Sequence, residues 1–560
     1  TKDPANEFGG KLSVQVGNYD FLKTKAQVDI PLMEEKLLFH GAMMRVTRDG
    51  YTENLLNPAE DLDFEDLLTG LITLKYLASD ELDITLHGSY SRDDGDFQTG
   101  KHFTDPAAFF GSATELKNPR KVMFDHGPSS APARSEAVDL IVRWDLGWTE
   151  LKSITAYSDV SVGPILQDFD KTEIVGLNQG QLGVDNGYAE DTQTFSQEII
   201  LASQGDERLT WLAGVFYLHD EPSAISGFDI PLFALPFAQF KAVNITDAYA
   251  VFGSLSYNVT DKLRINAGLR YSDETKELTL TQLIDFVTVV GPQTQKKSWD
   301  AWTPKLGLDY FLTEDTLLYV SATRGFKSGG YNTSGFGPAV DPEFVDAYEI
   351  GAKTTFMDNR FRVNFSAFKY DYTDLQVQAV DPANVPALLI QNAAEADIEG
   401  LEIELSALVF ENLQVDVGLA WLDAVYGDFE SVDGATGAQI NLKGNKLPVS
   451  PEFTSNVGVQ YGQSIGGAGE LIFRMDYYFS DDKFFNEFND QARQGSYSLL
   501  NARIGFESED EHWGVSLYGK NLTDEVVLTD TFVFPLILGD GFLGSLSPPR
   551  TYALELEVRF

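Results

Sequence analysis

The chain has 560 residues, a formal net charge of −44 and no cysteine. That charge excludes nucleic acid and anionic membrane surfaces as ready partners, and the missing cysteines exclude disulfides and thiolate chemistry. No apolar run approaches the roughly 20 residues of a membrane helix, yet aromatics reach 12%, with 39 Phe and 23 Tyr, which suits interfacial girdles.

Taken in order, the chain offers about twenty-two strand candidates by alternation and turn chemistry. The cleaner ones are 23–31, 81–92, 262–273, 343–355, 396–408, 412–422, 469–480 and 497–507. Segments 36–46 and 148–158 alternate poorly and are assigned by position. In 262–273, Leu263, Ile265, Ala267, Leu269 and Tyr271 oppose Arg264, Asn266, Gly268 and Arg270. In 396–408, Leu401, Ile403 and Leu405 oppose Glu402, Glu404 and Ser406. In 469–480, Leu471, Phe473, Met475, Tyr477 and Phe479 oppose Ile472, Arg474 and Asp476. The closing PRTYALELEVRF (549–560) sets Tyr552, Leu554, Leu556, Val558 and Phe560 against Thr551, Ala553, Glu555, Glu557 and Arg559. Such a strand fits a wall with hydrocarbon on one side and water or protein on the other, although a soluble sandwich edge also alternates.

The connections alternate in length. Short polar turns stand at PLMEEK (31–36), ASDE (78–81), SQGDER (203–208), NVTDK (258–262), LTEDT (312–316), MDNR (357–360), FEN (410–412) and ESEDEH (507–512). Long connections are predicted over 93–135, 160–190, 220–243, 274–298, 325–342, 374–392, 426–450, 481–496 and 523–549. A transmembrane barrel places its short turns on the periplasmic side and its long loops outside. Strands of about twelve residues, tilted about 40°, span roughly 30 Å, enough for the apolar band. The predicted fold is all-β: a single 22-stranded antiparallel transmembrane β-barrel, with a lumen too wide for wall side chains to fill.

No catalytic constellation emerges. The six histidines, His40, His87, His102, His126, His219 and His512, are scattered. His87 is expected on the lumen face beside Asp83 and Thr85, most simply as a hydrogen-bonded wall residue. Neither G-x-S-x-G nor H-E-x-x-H occurs, so an outer-membrane hydrolase lacks its signature. DLDFED (61–66) and DDGD (93–96) could ligate Ca²⁺, but read more simply as solvated acidic loops; no resident metal or cofactor is expected. Several outer connections are apolar where polarity is the rule: FDIPLFALPFAQF (228–240), VPALLIQ (385–391), FVFPLILGDGF (532–542) and DPAAFF (105–110). Such patches bind something or pack on one another. Phe228, Phe233, Phe237, Phe532 and Phe534 are candidate vestibule residues for a partly aromatic ligand. Arg324, Lys327 and Tyr331 stand where an outer connection begins, and the two cations suit an anionic ligand or simply orient the strand end.

Several stretches resemble the TonB-dependent outer-membrane receptor family. They are KLGLDYFLTEDTLLYVSATRGFKSGGYN (305–332), NAGLRYSDETKE (266–277), AYEIGAKT (347–354), NAAEADIEGLEIEL (392–405), LPVSPEFTSNVGVQY (447–461), YGKNLTDE (518–525) and the PPRTY…RF ending. Residues 1–190 match in pattern only. The resemblance implies a barrel over 11–560 in the outer membrane of a Gram-negative bacterium. The ending at Phe560 resembles the strand such barrels present to the barrel assembly machinery. Members carry an N-terminal plug inside the barrel, through which the TonB complex acts. TKDPANEFGG (1–10) resembles the plug-to-barrel junction, so either the plug lies outside this sequence or this is a plugless relative. Arg264, Arg270, Glu402, Glu404, Arg474, Glu555 and Arg559 then become plug-facing lumen groups, or solvated pore lining. The implied function is import of a scarce nutrient, foremost a ferric siderophore, by a monomer embedded in lipid and lipopolysaccharide. Iron then enters only as part of the transported chelate. Other bulky solutes, such as an oligosaccharide or cobalamin, and passive entry remain as alternatives.

Overall fold

The computed structural model describes the chain apart from residues 1–2, 59–60, 97–99, 103–116, 125–131, 169–184, 206–207, 231–234, 285–286, 381–387, 433–437, 491 and 534–541. Among the described residues, 22 strands close into one antiparallel wall. The first strand, Gly9–Gly17, pairs both with Leu22–Met33 and with the last strand, Thr551–Arg559. That seam runs from Lys11↔Arg559 to Gly17↔Ala553. The Lys11 ammonium meets Glu557 at 2.6 Å, and the Gly10 N–H donates to the Phe560 carbonyl at 2.8 Å. A Cβ at Gly10 would lie 2.5 Å from the Phe560 ring and 2.9 Å from the Gln27 carbonyl, so the glycine lets the aromatic end lie close over the first strand. Closure leaves no unpaired edge, the condition for a sheet to cross hydrocarbon.

Alternation decides which face meets lipid. In the closing strand, Tyr552, Leu554, Leu556 and Val558 are 47%, 49%, 50% and 40% exposed on the outer surface. Glu555, Glu557 and Arg559 alternate inward and are half-buried. The same split places Leu401 and Ile403 outward and Glu402 and Glu404 on the opposite face within Leu388–Phe410. Toward the outer end, lipid-facing aromatics form a row across neighbouring strands. Phe195 and Tyr217 have ring centroids 6.3 Å apart, Tyr217 and Tyr249 4.9 Å, and Tyr271 and Trp302 4.8 Å. Amphipathic rings at that level mark the interface between hydrocarbon and headgroup.

The short turns gather on one rim, as the polar tetrapeptides predict. Met33–Leu37, Ser79–Leu82, Thr260–Leu263, Thr313–Thr316 and Phe410–Leu413 are each crossed by at most three residues. The opposite rim departs from expectation in two ways. Its first connection is tight, because residues 18–21 alone join Gly9–Gly17 to Leu22–Met33. And the described residues of the connections predicted over 160–190, 220–243, 274–298 and 374–392 are strand. Leu209–Ile230 has 22 residues, Leu235–Thr260 has 26, Leu263–Ile284 has 22 and Val287–Thr313 has 27. These strands run past the apolar band as ribbons. Outside hydrocarbon neither face must be apolar, so the period-two hydrophobic signal fades while pairing continues. Cross-strand polar pairs take over: Thr275–Ser298 at 2.8 Å, Lys296–Glu277 at 2.9 Å and Thr279–Thr294 at 2.9 Å.

Candidate functional site: the inner wall and the outer crown

The inner wall is charged, and most of its basic groups are paired locally. Arg264 holds Asp309 through Nε at 2.8 Å and Nη2 at 2.7 Å, and Asn266 donates to the same carboxylate at 2.9 Å. Arg474 bridges Asp476 at 2.7 Å and Asp416 at 2.9 Å. Arg559 pairs with Glu557 at 2.7 Å and with Glu507. Among the described residues no carboxylate pairs with Arg270; its Nε donates to Ser272 at 3.0 Å and its guanidinium lies over Phe216 and Phe252 at 5.6 and 5.4 Å. Glu404 accepts from Asn364 at 3.0 Å, Glu402 from Ser366 at 3.5 Å, and Glu555 from the Tyr518 hydroxyl at 2.6 Å. All seven residues singled out as lumen-facing thus lie on the polar alternation of the wall. Around Arg264 and Asp309 the wall recedes into a concavity of about 520 Å³, with Lys305, Glu349 and Lys353 on its border.

Register also assembles a row that no single strand reveals. Asp29, His40, Thr73, His87 and Asp139 are direct neighbours across five strands. His40 Nδ1 lies 2.8 Å from Asp29, and His87 Nδ1 lies 2.7 Å from Asp139. The Ala5 N–H donates to Asp29 at 3.1 Å and Lys75 meets Asp3 at 2.7 Å, so the lead-in segment is tied to this row. His87 is a hydrogen-bonded wall residue, although its partner is Asp139 rather than a neighbour on its own strand.

The outer crown is held by small apolar cores and polar ties. Trp299, Leu278, Leu280, Ala242 and Tyr331 form a buried cluster on the inward side of two ribbons. Tyr331 comes from the connection after Thr316–Lys327, which crosses over to them. Gly329 in that connection has the Trp299 ring 2.3 Å and the Val340 carbonyl 2.4 Å from where a Cβ would sit. The second glycine-rich half of R-G-F-K-S-G-G therefore serves close approach. Asp341 anchors the far end. Its carboxylate accepts from Lys297 at 2.6 Å and Trp299 at 3.3 Å, and its N–H donates to Asn392 at 2.7 Å. Asn392 and Gln376 both donate to the Asp341 carbonyl, at 2.7 and 3.0 Å. Further cores join Tyr426, Phe429 and Leu442, and join Leu528, Phe542 and Leu546 with Ala492. Asn521 of the N-L-T-D-E turn accepts from the Glu525 N–H at 2.8 Å and donates to the Glu525 and Pro548 carbonyls at 2.9 and 3.3 Å.

The candidate ligand residues come from several outer segments. Phe228 and Phe237 lie in strands of one ribbon, Leu209–Ile230 and Leu235–Thr260, and Phe532 in Leu528–Val533. Phe233, Phe534 and the stretch 105–110 lie outside the described residues. Arg324 shares the alternation of Leu318 and Val320, the lipid-facing one, pairs with Asp346 at 3.3 Å and covers the Phe344 ring at 5.2 Å. Lys327 is 3.8 Å from Glu343, and Tyr331 is a buried member of the Trp299 cluster. The acidic stretches 61–66 and 93–96 do meet, through the Asp63 N–H donated to Asp96 at 2.7 Å. Among the described residues no group of three or more acidic or histidine side chains is set to hold a metal. Sequence reasoning missed the Asp29–His40 pair and the Trp299 cluster, because each depends on cross-strand register or loop crossing that no local pattern carries.

With this geometry in hand, the comparisons with known proteins are specific. The family described as TonB dependent receptor-like, beta-barrel, matches residues 73–522. The pesticin receptor of Yersinia pestis is 24% identical over 376 residues, covering 65% of this chain and 51% of the relative. The metal-pseudopaline receptor CntO of Pseudomonas aeruginosa is 30% identical over 229 residues, covering 40% and 31%. The chain thus spans about half the length of the pesticin receptor. The crystal structure of the ferric yersiniabactin uptake receptor FyuA from Yersinia pestis superposes with a TM-score of 0.83 at 18% identity, over 100% of this chain and 81% of that one. The siderophore receptor PiuA from Acinetobacter baumannii gives 0.80 at 15% identity, over 100% and 82%. The closed 22-stranded wall and the match over most of its length agree: the chain belongs to the TonB-dependent receptor family, as its β-barrel in the bacterial outer membrane.

Proposed function

We propose that this barrel captures a ferric siderophore at its outer crown and passes it inward through the lumen, with energy delivered by the TonB complex. The observation that carries the reading is the family match over 73–522 on a closed 22-stranded wall. Such a wall is too wide for its own side chains to fill and performs no covalent chemistry. Three of the similar proteins named above are receptors for metal-pseudopaline, ferric yersiniabactin and a siderophore, and the fourth is a receptor for pesticin, which supports this substrate class over cobalamin or an oligosaccharide. A plug domain contacting the charged inner wall, and the barrel assembly machinery engaging the strand that ends at Phe560, complete the proposed partners. Lipid and lipopolysaccharide surround the outer face, and the protein is read as a monomer.

Uptake of radiolabelled ferric siderophores tests the reading. Cells expressing the complete protein should accumulate iron, and deletion of tonB should abolish it. Accumulation that persists without TonB, together with steady conductance in planar bilayers, would replace active import by a passive channel.

A further inference from the structure

Two shielded cations at the outer rim have no carboxylate partner among the described residues. Lys101 lies in the short strand Gly100–His102, which pairs with Phe542–Leu546 of the last outer connection. Its side chain is 8% exposed and donates to the Asn118 carbonyl. Burial alone pushes its ammonium down to about 8. Arg120 belongs to the same junction. Its N–H donates to Asn118 Oδ1 at 2.9 Å and its Nη2 to the Ser547 carbonyl at 2.5 Å. Its guanidinium lies 5.0 Å over the Tyr51 ring, which also carries Arg48 at 4.7 Å.

The two guanidiniums on Tyr51 differ in one respect. Arg48 is fully engaged, with Glu65 at 3.1 Å and the Asp49 and Asp63 carbonyls at 3.3 and 2.8 Å. Arg120 Nη1 is sealed from solvent with no hydrogen-bond partner, and so is Ser547 Oγ. A guanidinium cannot shed its proton to escape burial. Tyr51, Asp63, Tyr19 and Asp524 favour its charge through space, but burial outweighs them and pushes the guanidinium down, so the charge is only partly compensated and costly there.

We propose that this junction binds a small oxyanion, a carboxylate or phosphate group, through Arg120 Nη1 and Ser547 Oγ, with Lys101 as the second positive charge. An occupied site ties three outer connections, those holding Tyr51, Arg120 and Ser547, into one closed corner. For its natural occupant the proposal rests on the capture reading above, and assigns the site to ionised oxygens of the ferric chelate. A phosphate of an outer-leaflet glycolipid offers the same chemistry.

The test is calorimetric titration of the purified full chain in detergent with inorganic phosphate at constant ionic strength. Saturable binding is expected, about tenfold or more weaker in Arg120→Gln. Ser547→Ala, which leaves every charge in place, should also weaken it and serves if Arg120→Gln fails to fold. Affinity should fall above about pH 8 as Lys101 loses its proton, and Lys101→Met should flatten that dependence. Absence of saturable binding, or binding unchanged in both variants, overturns the proposal. Displacement of phosphate by ferric citrate supports the chelate as occupant; displacement only by micelles of a phosphorylated glycolipid keeps the anion site and overturns that occupant; displacement by neither overturns both occupants. Phosphate binding that survives while TonB-dependent uptake fails would sink the import reading alone.

Discussion

The wall and the crown solve the same problem, holding long strands in register, by different means. In the wall, hydrocarbon outside and polar groups inside make a one-residue slip costly, because it would turn Leu554 and Leu556 inward and Glu555 and Glu557 into lipid. In the crown there is no such solvent contrast. Ribbons stay paired through Thr275–Ser298 and Thr279–Thr294, and connections are pinned by Trp299, Asp341 and Asn392. The wall is therefore specified by its surroundings and the crown by particular contacts. A single contact should matter more locally in the crown, and a single polarity change more globally in the wall.

Substitutions can break or sharpen that contrast. Trp299→Ala removes the centre of the crown cluster and should cost about 3–5 kcal/mol of local stability. Hydrogen exchange should rise over 328–341 while the wall stays protected; loss of wall protection would show that the two regions form one cooperative unit. Leu556→Arg places a charge on the lipid face and should cost about 2–4 kcal/mol of folding free energy in vesicles, read by denaturant unfolding. Asn392→Ala removes the acceptor of the solvent-exposed Asp341 N–H and should cost about 0.5–1.5 kcal/mol, again confined to exchange in the crown. Lys101 adds a pH signature. Its folded pKa of about 8 lies below the ordinary 10.5, so the unfolded segment binds more protons between those values. Protection near Gly100–His102 should climb as pH rises from about 8, and Lys101→Met should remove the slope. The smallest effect is expected at Arg324. Its pairing with Asp346 is half-exposed, and Arg324→Gln should cost less than about 1 kcal/mol.

The same contrast explains what could be read from residues alone. In 396–408, apolar Leu401 and Ile403 alternate with Glu402 and Glu404, and the structure places them on the two faces so predicted. Short turns such as MDNR and LTEDT identify one rim because turn chemistry is local. The ribbons escaped notice because segments like 274–298 carry polar residues on both faces, so strand pairing leaves no hydrophobic period. Arg324 looked available for an anion because sequence alone does not say how the alternation of Leu318 and Val320 continues past the apolar band. The unsatisfied Nη1 of Arg120 was invisible for a related reason: its surroundings are defined by Tyr51 and Ser547, which are remote in sequence.

The seam holds a consequence for biogenesis. Asn18 and Arg550, 532 positions apart, are joined by a hydrogen bond of 3.2 Å beside it, so the contact that completes the cylinder is also among the most remote along the polypeptide. Until it forms, the nascent sheet has two raw margins, each able to recruit a stray strand. Each stray pairing made before those margins meet competes with closure, so the last join is the point at which the chain is most open to misassembly.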